Sequence, residues 1–134
     1  LALELPLATS LPTLFLAQSD NQDGYVGAGL ATIDGRSAAD TNNPTHTKNR
    51  LLVSNQKQAL ELTVSSVGEQ VTINVSMDGK PIMDWTGAVS QLPGLPENAR
   101  RQIAVSIYKG MLRLHSVELK MLDGEARLLR PADR

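Results

Sequence analysis

No cysteine occurs among the 134 residues, so the chain can build neither a disulfide framework nor a thiolate zinc site nor a cysteine nucleophile. Aromatic residues are nearly as scarce: Phe15, Tyr25, Trp85 and Tyr108 are the full set. Four rings are too few to pave a stacking face. Bases do not outnumber acids, at 13 against 14, which removes the basic field that drives binding to a phosphate backbone. Nucleic acid is therefore not an expected partner. No apolar run approaches the roughly 18 residues of a membrane span, so no membrane insertion is expected. The opening Leu1-Ala-Leu-Glu-Leu-Pro6 has neither a basic stretch nor a cleavage site of a signal peptide, and no initiator Met. We expect a processed or excised piece of a longer protein.

Leu, Ile, Val and Phe make up about a quarter of the chain, enough for a folded core of one ordinary domain. Helical periodicity is almost absent. Period-2 alternation recurs instead at short spacing, broken by Gly, Asn and Asp, which argues for an antiparallel all-β sandwich or barrel. Residues 60–77 carry the clearest signal. With Gly68-Glu69 as a two-residue II′ loop, the register pairs Leu60 with Met77, Leu62 with Val75 and Val64 with Ile73. The opposite face then pairs Glu61 with Ser76, Thr63 with Asn74 and Ser65 with Thr72. One buried face and one wet face follow.

A second hairpin is expected at Lys109-Gly110, with Ile107 opposite Leu112 and Val105 opposite Leu114. Apolar parity slips after Leu114, because Val117, Leu119 and Met121 are odd-numbered, and a β-bulge at His115-Ser116 would absorb the extra residue. Strand-like runs also occupy residues 2–8, 13–18, 25–33 and 50–54, with Pro6 and Pro12 relegating the first two to edges or loops. Residues 34–49 form a long polar loop, and 86–101 a second long connection with Gly87, Pro93, Gly94 and Pro96. Residues 1–126 read as a single domain and 127–134 as a C-terminal tail.

Few constellations carry chemistry. Ser19 to Gly24 matches a calcium loop at its third, fifth and sixth positions, but the twelfth, which needs a bidentate Glu, is Leu30. A polar turn explains it better, and no metal or other cofactor is expected. His46 and His115 lack ligand spacing, and no serine sits in an elbow that would activate it. No Glu-x-Asp or Glu-x-Glu pair lies in a confident strand, which weakens a conventional glycosidase reading. Trp85 follows the Asp78-Gly79-Lys80 turn; a three-residue loop would turn Met83 and Trp85 inward, and a two-residue loop would turn Trp85 outward.

Asn55, Leu-Glu-Leu-Thr-Val from Leu60, Val-Thr-Ile-Asn-Val from Val71, Met-Asp-Gly-Lys-Pro-Ile from Met77, Asp-Trp-Thr-Gly from Asp84 and Leu-His-Ser-Val-Glu-Leu from Leu114 form one arrangement. It resembles laminin-G/concanavalin A-like jelly-roll domains of planctomycete-type multidomain proteins, and more distantly the 3-keto-disaccharide hydrolase-like family. The likeness runs from about Ile33 to Ala126. It implies a jelly-roll sandwich, here with N-terminal strands missing or abbreviated, and an extracytoplasmic setting, periplasmic, surface-bound or secreted.

The expected function is a non-catalytic binding or interaction module of a larger protein, with a glycan or another domain of that protein as partner. The alternative is a glycoside-processing enzyme of the 3-keto-disaccharide hydrolase-like type. Any ligand site is expected at one rim of the sandwich. There Asp34, Asn42, Asn43, Thr45 and His46 offer short donors and acceptors for sugar hydroxyls, and an outward Trp85 could stack on a sugar ring. The competing expectation is that Asp34, Asn42 and Asn43 cap turns through their own backbone.

Overall fold

The computed structural model describes residues 1–17, 27–99, 101–108 and 110–124. The Ser19 to Gly24 segment, Lys109 and the 127–134 tail lie outside these. The described chain is all-β, an antiparallel sandwich of two main sheets with a small hairpin at one end. Its strands are β1 (Ala2–Glu4), β2 (Thr13–Ala17), β3 (Gly27–Leu30), β4 (Thr32–Ile33), β5 (Arg36–Ser37), β6 (Leu60–Val67), β7 (Gln70–Met77), β8 (Lys80–Ala88) and β9 (Ala104–Ser106). A short 3-10 turn spans Val89–Gln91. One sheet has the order β3-β2-β1-β9 and the other β6-β7-β8, with β4-β5 apart.

Both main sheets contribute to one core: Leu14, Leu16, Ala28 and Leu30 face Val71, Ile73, Val75, Met77, Met83 and Trp85, with Ile33 and Leu92 closing the ends. The 60–77 hairpin has the register its alternation dictates, pairing Leu60 with Met77, Leu62 with Val75 and Val64 with Ile73. Gly68 holds φ +59°, the left-handed value its loop position needs. β7 lies between two strands, so its apolar side chains are buried, whereas Leu60, Leu62 and Val64 on the edge strand β6 are half-buried.

The β7–β8 connection resolves the orientation of Trp85 by a route outside both alternatives. Its loop has two residues, Asp78 and Gly79, at φ +51° and +76°, with Met77 opposite Lys80. The ladder then jumps from Ser76–Pro81 to Val75–Met83, leaving Ile82 as an extra residue. That bulge restores inward parity to Met83 and Trp85, each 6% exposed.

Several expectations are corrected. Pro6 and Pro12 do not push their strands to the edge: β1 and β2 are the inner strands of their sheet, and both prolines stand outside them. A proline just before a strand deprives the ladder of no donor. Residues 50–54 form no strand; Leu51 and Leu52 pack half-buried against the core as irregular chain. The second hairpin does not form among the described residues. Residues 104–106 pair with β1, but 111–122 enter no ladder, and Leu114 and Val117, the apolar residues on either side of the expected bulge, are both exposed. β9 is only three residues long and Ile107 lies beyond it, exposed, so the ladder ends short of the expected turn.

Candidate functional site

The polar segment after β4 is an ordered structure centred on Asn43. Asp34 and Gly35, at φ +49° and +73°, make the tight turn between β4 and β5. The chain then closes through successive turns, Asp40 N–H to Ser37 O, Asn43 N–H to Asp40 O and His46 N–H to Asn43 O. Asn43, 2% exposed, saturates its side chain. Its amide nitrogen donates to Leu30 O and Arg36 O, both at 3.0 Å, and its oxygen accepts from Thr45 N–H at 2.9 Å and Thr45 Oγ1 at 2.7 Å. Thr45 Oγ1 in turn accepts the Leu30 N–H at 2.8 Å.

Thr47 repeats the device two residues on. Its Oγ1 accepts from Ala28 N–H and donates to Ala28 O, while its own N–H also bonds Ala28 O. Thus Thr45 and Thr47 act on β3 as an additional strand would, with hydroxyls replacing part of the missing backbone partner. Gly29 permits this approach: a Cβ there would lie 3.0 Å from Thr45 O and 3.2 Å from Thr45 Oγ1.

Each rim residue then has a definite place. Asn43 and Thr45 are buried and spent on the fold, which removes their polar atoms from contact with a ligand. Trp85 is in the core, so it offers no stacking surface. His46 is half-buried, with Nδ1 2.7 Å from Ala38 O. Asn42 is exposed and turns back to Asp40, whose Oδ1 accepts from both its N–H and its Nδ2. Asp34 is exposed and joined to the β8 end: Gln91 Nε2 donates to Asp34 Oδ2 at 2.8 Å, and Gln91 Oε1 accepts from Ala88 N–H. Asp34 and the end of Trp85's strand do meet at one rim, bridged by Gln91, but the ring is turned away from solvent.

The outer face of β6-β7-β8 gathers more accessible polar groups. A shallow depression of about 270 Å³ is lined by Glu61, Thr63, Asn74, Ser76, Pro81 and Asp84. Glu61 lies opposite Ser76 and Thr63 opposite Asn74, while Asp84 lies opposite Asn74 from the other side. Thr72 and Thr86 beside it are engaged with each other, Oγ1 to Oγ1 at 2.9 Å. The alternation of residues 60–77 already shows this face as polar. Asp84 escapes sequence reading because its side depends on the bulge at Ile82. Two carboxylates, an amide and two hydroxyls give acceptors and dual donor-acceptors, the inventory that binds a polyol at several points.

A second cleft, of about 340 Å³, lies between the segment after β1 and the chain beyond Leu92, lined by Thr9, Leu95, Pro96, Glu97 and Arg101 among others. Among the described residues, no group of three or more His, Asp or Glu side chains is placed to hold a metal ion. The chain matches no protein-family model, no curated protein and no solved structure.

Proposed function

We propose that the chain is a non-catalytic binding module that takes a polyhydroxylated ligand of the glycan class on the outer face of β6-β7-β8. The observation that carries this reading is the depression lined by Glu61, Thr63, Asn74, Ser76 and Asp84, where exposed and half-buried hydrogen-bonding side chains stand side by side on one sheet face. A shallow, open site of this kind suits recognition of a chain of hydroxyls without enclosing a reacting bond. The jelly-roll reading draws support from the pairing of β1 with β9, which joins the first and last strands of the described residues in one sheet. The extracytoplasmic setting and membership of a larger protein follow from the resemblance to laminin-G/concanavalin A-like domains.

The test is a panel of immobilised oligosaccharides probed with the labelled chain, followed by titration of any sugar bound. Asn74→Ala and Asp84→Ala should each weaken binding about tenfold, the equivalent of 1.4 kcal/mol, with little change in melting temperature. Loss of binding in Asp34→Ala and Asn42→Ala, with the sheet-face variants unaffected, would return the site to the rim. Failure of every oligosaccharide to bind would end the glycan reading.

A further inference from the structure

The inner face of the four-stranded sheet is finished on one side and unfinished on the other. Leu30, Leu14, Leu3 and Val105 stand in register across β3, β2, β1 and β9. Their exposure rises along that row: Leu30 and Leu14 are buried, Leu3 is half-buried and Val105 is 39% exposed. Ile103 and Ile107, which alternate with Val105 on the same face, are also exposed. Among the described residues, β9 has no strand on its outer side.

The same chain carries a segment suited to that place. Residues 111–122 enter no ladder among the described residues, although Leu112, Leu114, Val117, Leu119 and Met121 repeat at strand spacing. Val117 and Leu119 are 72% and 73% exposed, and Met111 wholly so. Set antiparallel to β9, the segment puts Leu112 opposite Ile107 and Leu114 opposite Val105. One extra residue at His115-Ser116 then brings Val117 opposite Ile103. Three apolar pairs result, and Leu114 continues the row that Val105 ends.

We propose that β9 accepts the 111–122 arm of a second copy of this chain, each copy giving its arm to the other in a reciprocal strand exchange. The pairing covers Leu112, Leu114 and Val117 of each arm together with Ile103, Val105 and Ile107 beside each β9, all exposed, and exchange covers both sets in both copies. β9 receives the backbone partners it lacks, and the arm loses its solvent-exposed row.

The absence of cysteine makes the test direct. The unmodified chain should scatter light as a species of twice 14.4 kDa, and a monomer at every concentration overturns the proposal. In the double variant Val105→Cys with Leu114→Cys, mild oxidation should yield a covalent dimer on a non-reducing gel, the two positions being within disulfide reach across a strand pair. A monomer with an internal disulfide would show the arm folded onto its own β9. A dimer with no cross-link would place the interface elsewhere. Either result overturns the exchange. Circular dichroism of the reduced variant checks that the sandwich has formed.

Discussion

Asn43 and Asn42 are adjacent, chemically identical and opposite in consequence. Asn43→Ala strands two carbonyls, an N–H and a hydroxyl in a buried setting, and should cost about 3 kcal/mol in denaturant unfolding. Asn42→Ala removes only exposed bonds to Asp40 and should cost under about 0.5 kcal/mol. Composition and spacing treat the two alike, so sequence could suggest that one of them caps a turn but not which is buried. Gly87 is a comparable case. A Cβ there would fall 2.3 Å from Cζ2 of Trp85 and 2.4 Å from Oε1 of Gln91. The amide can swing aside, but the ring is held in the core. Gly87→Ala should therefore destabilise by about 1–3 kcal/mol and, because Trp85 is the sole tryptophan, shift the fluorescence emission of the folded protein.

Among the elements, the 60–77 hairpin was legible in register because its six pairs farthest from the turn separate into three apolar and three polar, although Ser66–Val71 and Val67–Gln70 mix the two, and a slip of one residue would reverse every side chain. Burial depth was not legible. Alternation treats Leu62 and Ile73 alike, but β6 is an edge strand and β7 a central one. Ile73→Ala should cost about 2–5 kcal/mol, Leu62→Ala about 1–2 and Thr63→Ala less than about 0.5, measured as shifts in the denaturation midpoint. Trp85 escaped sequence reading for a different reason. Loop length alone would have turned it outward, and Ile82, one surplus residue inside the strand, turned it back. Bulges have no compositional mark as strong as the Asp-Gly turns beside them. The 111–122 arm reverses the lesson, since its alternation, broken once at His115-Ser116, forms no ladder among the described residues: period two records which side chains a strand could bury and does not supply the partner that buries them.

At the scale of the whole molecule, the two ends of the β3-β2-β1-β9 sheet differ in kind. On the β3 side Thr47 occupies the donor and acceptor of Ala28, while Thr45 takes the N–H of Leu30 and Asn43 its carbonyl. That side is closed to any incoming strand. Assembly through this sheet can therefore proceed from β9 alone, and units with one available edge close into pairs where units with two would add end to end. The threonine hydroxyls thus act as a chain terminator, barring this sheet from growing into a fibre. Replacing both threonines by valine keeps their shape and strips the hydroxyl bonds from the N–H groups of Ala28 and Leu30, leaving only the Thr47 N–H and the Asn43 amide on the two carbonyls. Thioflavin fluorescence during prolonged incubation should stay flat for the unmodified chain and rise for the Thr45→Val, Thr47→Val variant, and an identical flat trace for both would show that the hydroxyls do not guard this edge.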